Sequence, residues 1–526
     1  MTTAEESDAQ PIIQLGRNAW RTAAADDSGL LIDAADYYRD FYYAARDAQG
    51  SILMSGWQFD SGVQLLRGQD VPADGRDVRL LKFLNTLCEQ KPGLAVYIIA
   101  WDFHLVFAAE REWMQRILFH WMTHKRLRFA FLDCAVTGGS HHQKYTVVDG
   151  RMAFLGGMDV CEARWDDRCH REDNPVRISR GRPQKPYHDV QAYLAGHAPA
   201  AALTELFREQ WSLAAGEPLS LPAAADRIET PSRPRGLLPI GPQVVALSRT
   251  EPRDDDRTVR EVEHLFVDAI GAAERLVFIE TQYFSGRRVC DALSTRMAQA
   301  GRARLEIVVL VNERAEALKE EIAVGLRQAK NLAHLREVAA RTGHKLGLFY
   351  TVCDGPHEQY RATYIHSKLL LVDDRFLTVG SANLTNRSMG IDSELHCSWE
   401  TAATGRRSDA GLHRAIRRTR VSLLAEHAGI SGVTAVRRLV RIEGLVDQLE
   451  ALAAHGTRLR RHGPPTPTQE TVMAVVDPED LPFDPDTSEP DDSIVDEPSD
   501  DHLRRRRLRD LIRSMPIVRN AQRRNE

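Results

Sequence analysis

Residues 142–149 read HQKYTVVD, and residues 366–373 read HSKLLLVD. Both stretches have the pattern His-x-Lys-x-x-x-x-Asp, and 224 positions separate them. The same spacing aligns SILMSGWQF at 51–59 with RLVFIETQY at 275–283. Because independent matches share one spacing, the sequence predicts a duplicated domain whose two halves keep a common register.

Each half contains apolar runs of strand length, separated by stretches with helical periodicity. The apolar runs lie at 52–54, 95–100, 127–132, 276–279, 305–311 and 346–350. The helical stretches include 80–88, 109–123 and 315–342. Buried strands that alternate with helices are typical of sheets covered by helices on their faces. We therefore predict an α/β fold built from two duplicated domains.

Composition divides the chain further. Residues 477–501 contain twelve acidic residues and five prolines with little apolar content, which indicates disorder. The predicted divisions are a first domain at 1–217, a Pro- and Ala-rich linker at 218–240, a second domain at 241–425, a helical extension at 426–462, a disordered acidic linker at 463–501 and an Arg-rich tail at 502–526.

Three features predict a protein that remains in the cytoplasm. The N-terminus, MTTAEESDAQ, lacks the basic and apolar regions of a signal peptide. The sequence contains no run of roughly 18–20 apolar residues that would span a bilayer. The seven cysteines are odd in number and form no Cys-x-x-Cys pair, which argues against a disulfide framework and against a zinc site.

The net charge of -5 is concentrated at one end of the chain. Residues 477–526 contain fourteen acidic residues and nine arginines, so the rest of the chain carries no net charge. A protein that follows a nucleic-acid backbone usually presents a basic surface. We therefore expect no nucleic-acid partner.

The repeated motif divides into two faces if it forms a strand. Side chains two positions apart point to the same side, so His142 and Lys144 share a face. His366 and Lys368 do the same in the second half. The motif aspartates, Asp149 and Asp373, fall on the opposite face and are expected to brace the strand rather than to touch a substrate.

A histidine beside a lysine suits phosphodiester chemistry. A neutral imidazole is a nucleophile near pH 7, and an ammonium group neutralises phosphate oxygens as charge develops. Two halves placed face to face supply one histidine to attack phosphorus and another to protonate the leaving oxygen. This chemistry requires neither a metal nor a cofactor, and none is predicted.

The longer segments around the motifs resemble the phospholipase D superfamily, in particular its longer phospholipase D and transphosphatidylase members. The first half contains SHHQKYTVVDGRMAFLGGMDVCEARWD at 140–166 and PYHDV at 186–190, in which Tyr187 replaces the usual Trp. The second half contains IETQYF at 279–284 and YIHSKLLLVDDRFLTVGSANLTNRSMGIDSEL at 364–395. The resemblance covers about 30–425 of the sequence.

The resemblance implies pseudo-twofold symmetry with one active site between the halves. It makes His142 the nucleophile and His366 the general acid and base. The phosphate is expected to bind Lys144, Lys368 and Asn383, with Ser381 and Gly157 as supporting residues. Glu394 is expected to orient the histidine of its own half, and Asp189, or else Asp166, to do so in the first half. Asp159 aligns with Asn383, so the halves are expected to hold phosphate unequally.

The resemblance also implies a substrate. We expect hydrolysis of glycerophospholipids to phosphatidic acid and a free headgroup through a phosphohistidine, with transfer of the phosphatidyl group to alcohols as an accompanying reaction. The alternatives are a phosphatidyltransferase of the cardiolipin synthase type and a nuclease or other phosphodiesterase. The expected partners are the phospholipid and, at the periphery, the membrane surface. Because one chain carries both motifs, a monomer is expected.

Overall fold

Two mixed β-sheets, one centred on each half of the sequence, form the frame of the protein. The computed structural model describes residues 11–102, 123–136, 138–221, 234–253, 257–314, 324–353, 361–401, 409–473 and 484. The first sheet has the spatial order Leu238–Pro239, Asp27–Ile32, Val190–Ala195, Met152–Gly156, Tyr145–Val148, Ser51–Gly56, Ala95–Trp101 and Leu127–Leu132. The second has the order Arg21–Ala25, Gln243–Glu251, Glu394–Glu400, Phe376–Gly380, Leu369–Val372, Leu276–Glu280, Glu306–Leu310, Lys345–Thr351 and Leu459–Arg461, with Val259–Arg260 beside Gln243–Glu251.

The eight strands of the first sheet each have an equivalent in the second, which has two further strands, Leu459–Arg461 and Val259–Arg260. Tyr145–Val148 and Leu369–Val372 follow the motif lysines at the predicted spacing of 224, and each pairs antiparallel with the next strand of its half. Each also pairs antiparallel with a central strand, Ser51–Gly56 or Leu276–Glu280. The predicted α/β fold of two duplicated domains is therefore confirmed. The motif strands begin only after Lys144 and Lys368, so the catalytic pairs precede the strands instead of lying within them.

Helices cover the sheets. They span Asp33–Asp47, Leu80–Gln90, His197–Ala215, Glu261–Gly271, Arg287–Ala298, Leu326–Thr342, Asn386–Gly390, Ala410–Ala428, Gly432–Leu439, Leu445–Ala454 and Pro467–Met473, with short 3-10 turns at Gly68–Asp70 and Glu162–Arg164. A central apolar cluster combines side chains of both sheets, including Tyr145 and Trp399. Among the described residues, none of these helices has the length and apolar content required to cross a bilayer.

The chain exchanges strands between the two sheets, contrary to the predicted domain limits. Arg21–Ala25, placed by prediction in the first domain, pairs antiparallel with Gln243–Glu251 at the edge of the second sheet. Leu238–Pro239, placed in the linker, pairs with Asp27–Ile32 of the first sheet. Proline fits an edge strand because it has no N–H to donate to a further neighbour. The short alanine run and the prolines gave no periodicity that would have indicated these pairings.

The C-terminal region is tied to the second half more closely than predicted. The helix Ala410–Ala428 crosses the expected boundary at 425 without a break, and the described part of the extension ends in a strand, Leu459–Arg461, on the edge strand Lys345–Thr351. Within the segment predicted to be disordered, Pro467–Met473 forms a helix and Asp484 is buried. The Asp484 carboxylate accepts hydrogen bonds from the Ser285 hydroxyl at 2.6 Å and from the Arg387 backbone N–H at 2.9 Å.

The remaining predicted segments lie outside the described residues. They are most of the predicted helix at 109–123, the linker centre at 222–233, the rest of the acidic segment at 474–483 and 485–501, and the Arg-rich tail at 502–526.

Candidate active site

The first contact between the two halves lies at the start of the motif that contains His142. His141 forms a parallel β-bridge with Ser393, and the His142 backbone N–H donates to the Ser393 carbonyl at 3.0 Å. The next residue of the second half is Glu394, whose two carboxylate oxygens lie 2.9 and 3.1 Å from His142 Nδ1. Because Nδ1 is engaged by the carboxylate, Nε2 is the nitrogen that remains for chemistry.

The second contact repeats this arrangement with the halves exchanged. Tyr187–His188 pairs parallel with Tyr364–Ile365, and the His366 backbone N–H donates to the His188 carbonyl at 2.8 Å. The residue after His188 is Asp189, and its Oδ2 lies 2.6 Å from His366 Nδ1. Each motif histidine therefore lies beside an acidic residue of the opposite half.

This crossing corrects the predicted pairing. From the sequence we expected Glu394 to orient the histidine of its own half and Asp189 that of the first half, whereas Glu394 contacts His142 and Asp189 contacts His366. The physical reason is the pair of interdomain bridges, because each bridge aligns the start of one motif with the segment that leads into the other half's acid. Asp166, the second choice, instead binds His170 and Arg177.

The two orienting acids differ in their electrostatics. Burial alone would raise the pKa of Glu394, but His142 and the hydroxyls of Ser381 and Ser388 hold that pKa down to about 2. Burial raises the pKa of Asp189 to about 6, and Lys368 opposes the rise only in part. Both carboxylates are ionised at pH 7, and each orients an imidazole.

The motif lysines are almost fully buried beside their histidines. Lys144 Nζ donates to the His142 carbonyl at 3.0 Å and lies 3.3 Å from Asp159 Oδ2. Lys368 Nζ donates to the His366 carbonyl and, at 3.2 Å, to Gln282 Oε1. An acidic side chain thus accompanies one lysine and a neutral amide the other. That the halves hold phosphate unequally stays a prediction.

Positive groups from both halves converge on His366. Burial lowers the pKa of His366 well below its usual range, and Lys368, Arg164, Lys144 and His142 lower it further. Burial, with Lys144 and Arg164, also lowers the pKa of Lys368 to about 7, against the opposing charge of Asp189. Such a cluster of cations in a buried position is suited to an anion, and a phosphodiester carries the required negative charge.

The lowered pKa of Lys368 predicts that activity declines at alkaline pH. Its ammonium form is the one that neutralises phosphate, and that form is lost as the pH rises through the pKa of about 7. We expect kcat/KM for a nitrophenyl phosphodiester, whose leaving group needs no proton from His366, to fall about tenfold per pH unit above this value, since kcat/KM reports the free enzyme. Lys368→Arg is expected to move the decline to higher pH at a reduced maximal rate, because arginine remains charged. An unchanged profile in Lys368→Arg would assign the limit to another group.

The motif aspartates make contacts of the kind expected for strand braces. Asp149 accepts hydrogen bonds from the backbone N–H groups of Gln49, Gly50 and Ser51 at 2.7 to 2.9 Å. Asp373 accepts from three consecutive N–H groups in the equivalent place, each at 2.7 Å. Both aspartates therefore fix the start of the central strand of their own half.

The supporting residues Ser381 and Gly157 lie against the two orienting acids, Glu394 and Asp189. The Ser381 hydroxyl donates to Glu394 Oε2 at 2.5 Å. Gly157 occupies the matching position in the first half, where a Cβ would overlap the Asp189 carboxylate. Asn383 lies between these elements, and its Oδ1 has no hydrogen-bond partner among the described residues. Its predicted contact with phosphate stays a prediction.

Gly157 provides a selective test of the Asp189 position. Gly157→Ala is expected to displace the Asp189 carboxylate from His366 and to lower kcat by about 10- to 100-fold, because misplaced catalytic groups lose rate steeply. The matched control is Gly411→Ala, in a helix where a Cβ meets open space. Circular dichroism and thermal unfolding should show both variants folded; equal kcat in both would remove the steric argument.

Two further groups at this site received no role from the sequence. The Arg164 guanidinium donates to the Tyr187 hydroxyl at 2.5 Å, and the Tyr187 ring lies 5.3 Å from the His366 ring between centroids. In the sequence, Arg164 closely follows the GGMD segment and stands beside an aromatic residue, Trp165. No other sequence signal indicated a role for it. Its charge places it with Lys144 and Lys368 as a candidate phosphate ligand.

Comparison with known proteins agrees with this geometry. A family described as "Cardiolipin synthase, PLD-like domain" matches residues 266–410. Phospholipase D alpha 4 of Arabidopsis thaliana is 22% identical over 504 residues, covering 76% of this chain and 64% of the relative. Phospholipase D alpha 1 of Brassica oleracea var. capitata is 23% identical over 528 residues, with 75% and 64% covered. These similarities support the phospholipase D superfamily.

The fold is also found in a solved structure. The structure of phosphatidylserine synthase from Haemophilus influenzae Rd KW20 superimposes with a TM-score of 0.50, at 14% identity, and the match covers 82% of this chain and 95% of that one. At this identity the likeness supports the fold alone. The chain spans 64% of the length of the two plant phospholipases D that it matches.

Proposed function

We propose that the protein is a phospholipase D, which hydrolyses glycerophospholipids to phosphatidic acid and a free headgroup. The observation that carries the proposal is the convergence of two His–Lys pairs, each with an orienting carboxylate from the opposite half. This arrangement provides a nucleophile, an acid and a cationic cradle for one phosphodiester. The similarity to plant phospholipases D, which covers about three quarters of this chain, favours phospholipid over other phosphodiesters.

In the proposed first step, His142 Nε2 attacks phosphorus. The bond from phosphorus to the headgroup oxygen breaks, and its electron pair leaves with that oxygen, which takes a proton from His366. In the empty site His366 is unprotonated near pH 7, because burial and the surrounding cations hold down its pKa. The bound phosphodiester anion offsets those cations and is expected to raise the pKa of His366 toward the acid role.

In the second step, water or an alcohol attacks the phosphohistidine. His366, now neutral, takes the proton of the attacking hydroxyl, and the bond from phosphorus to His142 Nε2 breaks. Water gives phosphatidic acid and an alcohol gives a transferred phosphatidyl group. Because one chain carries both halves of the site, we propose that a monomer suffices. We also propose that the protein binds the membrane surface as a peripheral protein.

The direct experiment combines lipid and alcohol. Purified protein is incubated with vesicles of phosphatidylcholine, phosphatidylethanolamine or phosphatidylglycerol in the presence of ethanol, beside the His142→Ala, His366→Ala double variant. We expect phosphatidic acid and phosphatidylethanol from the native protein alone. Phosphatidylethanol without phosphatidic acid would assign phosphatidyl transfer as the task. Cleavage of single- or double-stranded DNA without any lipid product would overturn the proposal in favour of a nuclease.

A further inference from the structure

Four buried side chains converge at a second place, outside the two His–Lys pairs. They are Asp33 at the start of the first helix, His170 and His188 from the first half, and Glu426 from the long helix Ala410–Ala428. The facing oxygen and nitrogen atoms all lie within 4.8 Å of one another. The phosphodiesterase mechanism uses none of these four side chains. We propose that they form a binding site for one divalent transition-metal ion, best suited to Zn²⁺.

The distances between the facing atoms support this proposal. His188 Nδ1 lies 2.9 Å from Glu426 Oε1 and 3.1 Å from Asp33 Oδ1. His170 Nε2 lies 3.1 Å from the same Glu426 oxygen and 3.5 Å from Asp33 Oδ2. Four ligands that surround Zn²⁺ as a tetrahedron, with bonds of about 2.0–2.1 Å, are separated from one another by roughly 3.3 Å. The observed spacings are close to that value, and two histidines with two carboxylates are a usual zinc donor set.

Hydrogen bonding alone leaves one of these atoms unsatisfied. Asp33 Oδ2 is fully buried and has no hydrogen-bond partner among the described residues, although the His170 ring nitrogen Nε2 lies 3.5 Å away. A buried carboxylate oxygen without a partner is costly. A cation between Asp33 and the two imidazoles would satisfy it.

The outer contacts of both histidines are those of metal ligands. His170 directs its other nitrogen, Nδ1, to Asp166 Oδ2 at 2.9 Å. His188 directs Nε2 to Glu280 Oε2 at 3.2 Å. A histidine that binds a metal usually donates its second N–H to a carboxylate, which fixes the ring and the tautomer. Without a metal, each ring would have to carry two protons to serve carboxylates on both sides, with the ring centroids only 5.7 Å apart.

Charge balance also favours a divalent ion. The cluster contains four carboxylates, from Asp33, Asp166, Glu280 and Glu426, and two arginines, Arg168 and Arg177, that bind two of them. The histidines aside, these groups leave two negative charges in a buried place. One ion of charge +2 with neutral imidazoles neutralises them. From the cysteines we expected no zinc site; the ligands proposed here are imidazoles and carboxylates, which a cysteine pattern does not reveal.

The position of the cluster gives the ion a structural task. Its ligands join the first half to the helix that follows the second half. His188 immediately precedes Asp189, and its carbonyl accepts the backbone N–H of His366. An ion held by His188 would therefore fix the segment that carries Asp189, and the four ligands are positioning residues for the active site rather than catalytic ones.

The experiment uses the full chain with its purification tag removed, because a histidine tag would itself bind zinc. Metal content is measured by inductively coupled plasma mass spectrometry, and we expect about one zinc per chain. Treatment with 1,10-phenanthroline should lower Tm, and added ZnCl₂ should restore it. Co²⁺ added to the stripped protein should give the visible absorption of a tetrahedral site.

The matched variants are Asp33→Asn and Asp36→Asn, which change neighbouring carboxylates of the same helix. Asp33→Asn is expected to weaken zinc binding by more than about 100-fold, since the loss of an outer partner alone costs 10- to 100-fold. Asp36→Asn should bind zinc like the native chain. The proposal is overturned if the native chain is purified without metal and Zn²⁺ leaves its Tm unchanged, or if both variants bind Zn²⁺ equally. Metal content is independent of lipid turnover, so this outcome does not depend on the proposed function.

Discussion

Replacing His142 by alanine is expected to lower kcat by more than about 10⁴-fold, because the variant has no atom to form the covalent intermediate. The loss should be as large for an activated ester with a nitrophenol leaving group as for a phospholipid, since both require attack on phosphorus. His366→Ala should differ. A nitrophenolate leaves without a proton, so this variant should release about one equivalent of nitrophenol in a burst and then turn over slowly.

The measurement is a rapid-mixing assay followed by isolation of acid-labile, base-stable phosphohistidine from the protein. His455→Ala serves as the control, because His455 is exposed and lies in the helical extension. It should retain native turnover. A burst in His142→Ala together with its absence in His366→Ala would exchange the two roles, and the low pKa of His366 makes that exchange chemically reasonable.

The crossed acids lead to the second large effect. Asp189→Asn and Glu394→Gln keep the size of each side chain but remove the charge that orients an imidazole, and each is expected to lower kcat by about 10²- to 10⁴-fold. Because each acid contacts the histidine of the opposite half, the two variants should behave differently with the activated ester. Asp189→Asn should resemble His366→Ala and keep the burst, whereas Glu394→Gln should resemble His142→Ala and lose it.

Asp447→Asn is a suitable control, because Asp447 is an exposed acid whose partner is Lys345. Exposed ion pairs contribute little to stability, so this variant should match the native protein in kinetics and Tm. If Asp189→Asn abolished the burst while Glu394→Gln retained it, each acid would serve the histidine of its own half, against the contacts seen here.

The parts of this structure that the sequence predicted are those that local pattern controls. The two motifs, the strands that follow them and the central strands beside them repeat at one spacing, and the duplicated fold follows from that repetition. The crossing of Glu394 to His142 could not be predicted, because 252 positions separate them and no property of either residue identifies a partner. The cluster of Asp33, His170, His188 and Glu426 was hidden for the same reason, since its members have no characteristic spacing.

The predicted domain limits differ from the observed strand pairing. Arg21–Ala25 contains three alanines and little apolar alternation, so composition placed it with its sequence neighbours. Its actual partner is set by the free edge of Gln243–Glu251, more than 200 positions away. Asp484 illustrates the same limit, because a carboxylate in an acidic, proline-rich segment is buried by groups of the second half that only the fold brings together.

The exchange of Arg21–Ala25 and Leu238–Pro239 has a consequence for the history and handling of the molecule. Arg21–Ala25 of the first half completes the edge of the second sheet, and Leu238–Pro239 of the connecting segment completes that of the first. Neither predicted domain could therefore be expressed alone without exposing an unpaired strand edge that favours aggregation. The two halves are not separable units. Heat or denaturant should unfold both halves in one cooperative transition. After proteolytic cleavage in the connecting segment, the two fragments should remain associated.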